Sequence, residues 1–367
     1  MNIIATIACS VLAVVIATAQ VPAPKPAVKP TGAAATPKVK AIWEPVPFNK
    51  DVNLKAVACV GPETCWAVGD KSTILFTTDG GTNWQVQLGG DPEEATDDDL
   101  SKVFFLDAKN GWAMTGRGKI LGTRDGSTWA ELGTVSGTSK GLWFLSPQNG
   151  LEFENSPQAT QRRSNDGGKT WTPESRCGVD TSVGGLPRKL PCLLHAAHFL
   201  SPTVGFAGGG AATDMAKYVA TFGRTTDGGQ TWTLSVIPEA TRNITAVTFW
   251  TEKDGIVVLD RGEEVYWTAD GGTTWTKSVT ARLWPSVHGV GEGKIIVRIG
   301  EDGGIGYSFN AGRNFTSRPF ALPARVQAVT FPDAQHGYVV GQHAMVYRYR
   351  IVPIDYTRQG MIAAMAQ

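Results

Sequence analysis

The chain has 367 residues, 34 basic and 33 acidic side chains, and a formal net charge of +1. Such a balanced charge argues against nucleic acid or an anionic membrane as a partner held by bulk electrostatics. The 43 glycines and 12 tryptophans, with few long helical patterns, favour an all-β fold in which many short strands are joined by tight turns.

The N-terminal region divides into two segments. Residues 1–19 are an apolar and small-residue run that ends in Ala-Thr-Ala, which predicts a signal peptide removed before Gln20 and an extracytoplasmic protein, whether periplasmic, lumenal or secreted. Because this run has no basic start, an uncleaved membrane anchor is the alternative. Residues 20–40 are rich in Pro, Ala and Lys and predict an extended linker. Once the leader is removed, we expect no stable membrane insertion.

Four cysteines follow the leader: Cys59, Cys65, Cys177 and Cys192. An even number in an exported chain favours two disulfides, for which three pairings can be drawn. Local pairing is the simplest, so that Cys59–Cys65 clips a turn and Cys177–Cys192 closes a longer segment, worth about 3 kcal/mol in the chain-entropy model. The spacing is not that of a metal site, and we predict neither a metal nor another cofactor.

One eight-residue phrase, TTDGGTNW at 77–84, returns in five further versions. These Asp boxes recur with a period near 43 residues, which is typical of the four-stranded blades of a β-propeller. The sixth copy is degenerate, with Asn310 in the aspartate position and Phe315 in the tryptophan position. The boxed aspartates and their tryptophans are Asp79 and Trp84, Asp125 and Trp129, Asp166 and Trp171, Asp227 and Trp232, and Asp270 and Trp275.

The residue types of the box indicate a structural role. An aspartate accepts hydrogen bonds from the backbone of the turn that follows it, and the glycines supply positive φ angles. The Thr or Ser two places earlier can join this network, while the tryptophan covers the turn. We therefore predict that the boxes build hairpins and have no catalytic role.

The chain ends supply the remaining blade. Residues 41–48 resemble a strand that follows a box, and residues 326–349 supply three strands without a box. Together they predict a seven-bladed β-propeller over 41–350, closed by N- and C-terminal strands in one blade, with a tail at 351–367. The long interval between the third and fourth boxes contains Cys177 and Cys192 and predicts a loop inserted between blades.

Two segments carry a family resemblance. The closing unit VTFPDAQHGYVVGQHAMVYRY and the first unit CWAVGDKSTILFTTDGGTNW resemble those of the photosystem II stability and assembly factor family. Members of that family are secreted or lumenal seven-bladed propellers with Asp-box (BNR) repeats, and the likeness covers most of 41–350. It implies a non-enzymatic propeller that binds a protein partner, a newly made subunit of a membrane complex, through arginines on one face. We expect the protein to be monomeric.

Two arginines match that family's motif positions. Arg261 lies in VVLDRGEEVYWTADGG, and Arg282 lies in TARLWPSVHGV, where the family has an arginine pair and this chain has one. The resemblance implies that both bind the partner. Arg224, just before the fourth box, is predicted to extend this patch.

The alternative function is that of a sialidase-like propeller that binds or cleaves glycans, because Asp boxes also occur in glycosidases. Such an enzyme needs three arginines, an acid/base Asp and a Tyr nucleophile activated by Glu. Glu264 and Tyr266 share a face of one predicted strand, next to Glu263. His195 and His198 are three residues apart in an apolar stretch that favours a core or surface role over a metal site.

Overall fold

The computed structural model describes residues within 39–354, with gaps at 92, 94–97, 138, 155–160, 175–176, 214–217, 261–263, 280–285, 291–294, 300–304 and 319–321. The predicted signal peptide and most of the predicted linker and tail lie outside the described residues. Strand β1 begins at Val39 and β29 ends at Pro353, a few residues beyond the predicted limits of 41–350. Within the described part of the chain, no helix has the length and apolar character needed to cross a membrane.

The described strands form antiparallel sheets that follow one another along the chain. Sheet 1 contains β2 (Leu54–Cys59), β3 (Cys65–Gly69), β4 (Ile74–Thr77) and β5 (Gln85–Leu88). Sheet 2 contains β6 (Leu100–Phe105), β7 (Gly111–Thr115), β8 (Lys119–Thr123) and β9 (Ala130–Thr134). Sheet 3 contains β10 (Ser139–Phe144), β11 (Gly150–Glu154), β12 (Gln161–Ser164) and β13 (Thr172–Pro173).

The second half of the chain repeats this order. Sheet 4 contains β14 (Cys177–Val183), β15 (Leu186–Phe199), β16 (Gly205–Ala212), β17 (Tyr218–Thr225) and β18 (Thr233–Val236). Sheet 5 contains β19 (Ile244–Phe249), β20 (Gly255–Leu259), β21 (Val265–Thr268) and β22 (Thr276–Lys277). Sheet 6 contains β23 (Ser286–Val290), β24 (Ile295–Ile299), β25 (Ile305–Ser308) and β26 (Thr316–Arg318). Sheet 7 contains β27 (Val326–Thr330), β28 (His336–Gly341), β29 (Val346–Pro353) and β1 (Val39–Pro45), in the order β1-β29-β28-β27.

This arrangement is an all-β propeller, as predicted. Sheets 1 to 6 each run in chain order from first to last strand. The strands β2, β6, β10, β15, β19, β23 and β27, which we call the inner strands, contact one another from sheet to sheet, β27 and β2 included. They therefore surround the propeller axis.

The core lies between successive sheets. An aromatic ring on the second strand of one sheet stacks on a phenylalanine at the end of the inner strand of the next sheet. Trp66 and Phe105 have ring centroids 3.5 Å apart, and Trp112 and Phe144 have centroids 3.6 Å apart. These rings are buried. Such contacts bury large apolar areas and join the sheets face to face.

The boxes have the hydrogen bonds expected of a structural turn. In the first box, Asp79 Oδ1 accepts from the backbone N–H of Asn83 at 3.0 Å and from the Thr77 hydroxyl at 2.9 Å. The Thr77 oxygen accepts the N–H of Gly81, whose φ is 75°. These bonds, with the backbone N–H of Asn83 contributing most, lower the pKa of Asp79 to about 2. The corresponding bonds recur at Asp125, Asp166, Asp227, Asp270 and Asn310.

The box turns also join neighbouring sheets. The indole N–H of Trp66 donates to Gly126 O at 3.1 Å, and that of Trp112 donates to Gly167 O at 2.8 Å. In both cases a box carbonyl of the following sheet is the acceptor. Buried indole groups need such a partner, so the box positions a carbonyl for the blade before it as well as shaping its own hairpin.

The segment between Cys177 and Cys192 is a β-hairpin, and the prediction of an inserted loop is wrong. Strand β14 pairs with the first half of β15, so sheet 4 has five strands. The turn is Gly184-Gly185, with φ angles of 58° and 83°, which suits the two-residue hairpin turns that need positive φ. Val179 and Leu190 are buried, which holds the hairpin against the sheet.

Both disulfides have the predicted local pairing. Cys59 is bonded to Cys65, and Cys177 is bonded to Cys192. In each case the two cysteines are also directly opposed in the register of paired strands. Each disulfide therefore cross-links two adjacent strands of one sheet.

Candidate binding surface

The predicted arginine patch is only partly described. Arg261 and Arg282 lie outside the described residues, so their partner-binding role stays a prediction. Arg224 lies in β17, and its guanidinium donates to Glu252 Oε2 of sheet 5 at 2.6 Å. Its carbon Cζ lies 6.0 Å from the Phe206 ring centroid. Arg224 thus connects two sheets, and its side chain is still 37% exposed.

Two other arginines make similar contacts. Arg124 donates to Gly167 O at 3.2 Å and lies over the Trp112 ring at 4.7 Å. Arg163 donates to Gly228 O at 3.2 Å. Both acceptors are box carbonyls of the following sheet. Arginines near the boxes therefore bridge successive sheets, and this contact is sufficient to explain their presence.

A β-bulge recurs in six inner strands: β2, β6, β10, β15, β19 and β27. In sheet 1 the register shifts between Leu54 and Ala56, which leaves Lys55 as the extra residue. A bulge re-aims the side chain of its extra residue, and each of these residues is half-buried or exposed, in contrast to the core side chains beside it. The extra residues are Lys55, Ser101, Lys140, His195, Thr245 and Gln327.

Two lysines on the inner strands of sheets 2 and 3 share one cavity. Lys102 and Lys140 line a space of about 210 Å³ together with Phe104 and Trp143, which we call the basic pocket. Both lysines are exposed, yet burial lowers the pKa of Lys102, and the charge of Lys140 adds to this effect. Both hold for a lysine whose ammonium group reaches solvent while protein surrounds much of its side chain.

These lysines differ from Lys55 in their partners. Lys55 forms ion pairs with Asp70 at 2.5 Å and Asp99 at 2.9 Å. Within the part of the chain that the structure describes, neither Lys102 nor Lys140 has a hydrogen bond or an ion pair. Burial also lowers the pKa of His195 in sheet 4, with Lys140 adding to the shift and Asp260 opposing it. The charge of Lys140 therefore also acts on a side chain of the next inner strand.

A second cavity of about 430 Å³ adjoins the basic pocket. It is lined at the ends of β6, β10 and β15, and we call it the aromatic pocket. Phe104 and Trp143 line both pockets. Leu106 and Leu200, which line the aromatic pocket, are each 36% exposed. Sequence reasoning missed this site. One feature of the sequence could have indicated it: Lys102 occupies a position at which the inner strands of other sheets have alanine or glycine.

The Tyr266–Glu264 pair lacks the chemistry of an activated nucleophile. The Tyr266 hydroxyl donates to Glu264 Oε2 at 3.3 Å, and Lys277 Nζ lies 2.5 Å from Glu264 Oε1. Burial raises the pKa of Tyr266 to about 12, and the charge of Glu264 adds to this. A sialidase-type nucleophile needs the opposite shift. Glu263 lies outside the described residues.

Sheet 3 contains a buried carboxyl group with no predicted role. Glu152 in β11 is fully buried, and among the described residues neither of its carboxylate oxygens has a well-formed hydrogen bond. Burial raises the pKa of Glu152 to about 7 and the nearby Glu154 adds to this, although the nearby Ser139 hydroxyl lowers the pKa somewhat. Arg162 Nε is 3.9 Å from Glu152 but 2.7 Å from Glu154. Across the described residues, no group of acidic, His or Cys side chains has the geometry of a metal site.

Comparison with known proteins gives two family matches. The model for the photosynthesis system II assembly factor YCF48 matches residues 35–172, and that for a BNR repeat-like domain matches residues 125–290. Photosystem II assembly protein Ycf48 of Synechococcus sp. (strain JA-2-3B'a(2-13)) is 32% identical over 161 residues, which are 42% of this chain and 46% of that protein. The resemblance to the photosystem II assembly factors is confirmed. Over these residues the chain is similar to the Ycf48 and BNR-repeat families, and it spans about half the length of this curated relative.

Solved structures extend the likeness in fold. YCF48 bound to D1 peptide superposes with a TM-score of 0.59 at 17% identity, over 84% of this chain and 96% of that one. The GH74 xyloglucanase from Xanthomonas campestris superposes with a TM-score of 0.56 at 12% identity, over 84% of this chain and 53% of that one. Since both identities are low, these two structures share the fold alone with this chain. The fold itself serves an enzyme as well as a peptide-binding protein.

Proposed function

We propose that this chain is an extracytoplasmic, non-enzymatic propeller that binds a protein segment and acts as an assembly factor or scaffold for a membrane complex. The observation that carries the proposal is the match of residues 35–172 to the YCF48 assembly-factor family. The likeness in fold to YCF48 bound to D1 peptide supports it, because that propeller holds a peptide. Two disulfides and the predicted leader support an oxidising, extracytoplasmic location.

The proposal includes a closed, seven-bladed ring in which sheet 7 is the last blade. Val340 and Val346 of sheet 7 pack with Leu54 and Ala67 of sheet 1. On the other side, the indole N–H of Trp43 in β1 donates to the hydroxyl of Tyr307 in sheet 6 at 3.1 Å. In sheet 7, β1 pairs with β29 and covers its edge, and a ring joined from sheet to sheet would offer a partner a rigid face.

The partner segment would carry carboxylates. Arginines hold carboxylates in a two-pronged grip and keep their charge at any physiological pH. We assign this contact to Arg261 and Arg282, the two positions that match the family motif. Arg224 would contribute only through the part of its guanidinium that Glu252 leaves free.

The experiment is co-purification from the native host, with the double variant R261A/R282A compared with the wild type. The matched control is Arg188→Ala, an exposed arginine of the β14–β15 hairpin. We expect the double variant to bind the captured partner about thirtyfold more weakly, as for hot-spot residues worth about 2 kcal/mol, and the control to bind normally. Full partner recovery by a folded double variant would exclude the patch.

The same preparations test location and the enzymatic alternative. Exported protein should begin at Gln20, which N-terminal sequencing would show; a chain that retains its leader would instead be membrane-anchored. We expect no release of product from sialosides or other glycosides. Appreciable turnover would favour the sialidase-like alternative, for which the Tyr266–Glu264 pair supplies no activated nucleophile.

A further inference from the structure

The basic and aromatic pockets together have the features of a ligand site. One wall has two ammonium groups, the other has aromatic and aliphatic side chains, and Phe104 and Trp143 belong to both. We propose that this site binds a small amphipathic organic anion. Its acid group would contact Lys102 and Lys140, and its apolar body would lie against Phe104 and Trp143. This site is separate from the arginine patch, so neither proposal depends on the other.

The fold does not require a lysine at either position. Lys102 follows the bulge of its inner strand, and the residues that follow the bulges of other sheets are small: Ala56, Gly141, Ala196, Ala246 and Ala328. Lys140 is the extra residue of its bulge, and the fold accepts an uncharged residue at this position. In sheets 2, 5 and 7 the corresponding residues are Ser101, Thr245 and Gln327. Lys102 and Lys140 are therefore dispensable for the architecture.

Holding two ammonium groups together in a cavity that is partly surrounded by protein is unfavourable without an anion. The like charges repel, and the surrounding protein removes part of their hydration. Lys55 shows how the same scaffold neutralises an inner-strand lysine, because two aspartates lie within 3 Å of it. In the described residues, the basic pocket has no such carboxylate. An anionic ligand would provide the missing charge.

The aromatic pocket defines the rest of the ligand. Its volume of about 430 Å³ falls in the range of about 300–1,000 Å³ that is usual for small-molecule sites. The distance along β6 from Lys102 to Leu106 is about 13 Å, since a strand rises about 3.3 Å per residue. One or two rings, or a short alkyl chain, would fill this length and leave the acid group beside the lysines. A bare inorganic anion would leave the apolar wall unused.

The test uses two fluorescent probes with similar apolar bodies, titrated into the full chain. Anilinonaphthalene sulfonate has an acid group, and phenylnaphthylamine is its neutral counterpart. We expect one sulfonate per chain, bound about tenfold or more tightly than the amine, since hydrogen bonds to charged groups contribute at least that factor. Inorganic phosphate, which lacks the apolar body, should not displace the sulfonate at equal concentration.

The variants Lys102→Met and Lys140→Met keep the length of the side chain and remove the charge. Each should weaken sulfonate binding about tenfold and leave the amine unaffected, while Leu106→Ser should weaken both probes. The matched control is Lys253→Met, an exposed lysine of sheet 5. Thermal melting checks that every variant is folded. The proposal is wrong if folded lysine variants bind the sulfonate as the wild type does, if the two probes bind equally, or if the control loses as much affinity.

Discussion

Sheets 2 and 3 are neighbours with the same strand order and one Asp box each, but their second strands differ in kind. In β7 the residues Trp112, Ala113 and Met114 are buried and apolar. In β11, Glu152 takes the place of Ala113, between Leu151 and Phe153. Both strands are completely buried, so the same position of the fold holds a methyl group in one sheet and a carboxyl group in the next.

The difference shows what the box does and what it leaves free. Asp125 and Asp166 make the same backbone hydrogen bonds, so the hairpin forms in both sheets regardless of the second strand. In sheet 2, Trp112 stacks on Phe144 and donates to a box carbonyl. In sheet 3, no described residue makes a well-formed hydrogen bond to the Glu152 carboxylate. The repeat therefore tolerates an unfavourable group in a blade interior, because local turns and the other joints maintain the blade.

The largest effect is expected from Trp112→Ala. It removes a buried ring stacked on Phe144, an indole hydrogen bond and the contact with Arg124, and should lower the free energy of unfolding by about 3–5 kcal/mol. Leu151→Ala, at the corresponding place in sheet 3, should cost less, since it loses only apolar contacts. Urea denaturation measures both. Equal losses would contradict the view that sheet 2 has the stronger joint.

The next largest effect concerns Glu152→Gln. The pKa of this carboxyl group is about 7 in the folded chain, against an ordinary value of 4.5. A raised pKa means that folding takes up a proton between these values, so wild-type stability should fall as the pH rises from about 4.5 through 7. At pH 8 the variant should be more stable by about 3 kcal/mol. Below pH 4.5 the advantage should vanish.

The control for this variant is Glu131→Gln, an exposed carboxylate in sheet 2, which should leave the slope between pH 5 and 8 unchanged. Unfolding free energies at several pH values provide the measurement. A wild-type slope that persists in E152Q would mean that another group takes up the proton.

Some of this structure could be predicted from the sequence. The turns of the boxes could be predicted because each hydrogen-bond network is local: Thr, Asp and Gly within five residues determine the turn. The disulfide pairing could be predicted because the paired cysteines are close in the chain. The β14–β15 hairpin was missed because its exposed alternate positions are polar or charged, as in a loop, and its register depends on burial against Ala211.

The basic pocket could not be predicted in the same way. Lys102 and Lys140 come from different blades, and nothing in either repeat indicates that their side chains share a cavity. From the alternating pattern of β11, the sequence alone would suggest that the Glu152 side chain is exposed. In the structure every residue of β11 is buried. Sequence periodicity describes one blade, whereas these groups depend on how blades pack.

A smaller effect is expected at acid pH, where the boxes of sheets 2 and 3 should behave alike. Hydrogen bonds from the backbone N–H groups of Thr128 and Ser127 lower the pKa of Asp125. The pKa of Asp166 is about 2, because the bonds from Thr170 outweigh its slight burial. Lowered values mean that stability should be lost as the pH falls below about 4. Asp125→Asn and Asp166→Asn should each reduce this acid loss to a similar extent in melting curves. A difference between them would show that the boxes are not equivalent.

The smallest effect is expected from breaking the Arg224–Glu252 pair, in contrast to the Arg162–Glu154 pair of sheet 3. Both ion pairs are short, at 2.6 Å for Arg224–Glu252 and 2.7 Å for Arg162–Glu154. In the first pair the side chains are 37% and 58% exposed, whereas Glu154 in the second is only 7% exposed. Water screens the exposed pair, so a double-mutant cycle should give a coupling below about 1 kcal/mol for Arg224 and Glu252. The enclosed pair should couple more strongly, since its removal leaves a buried carboxylate unpaired.

If R224A leaves stability unchanged and yet weakens partner binding, Arg224 belongs to the binding patch. If it changes neither, the residue is a dispensable contact between sheets.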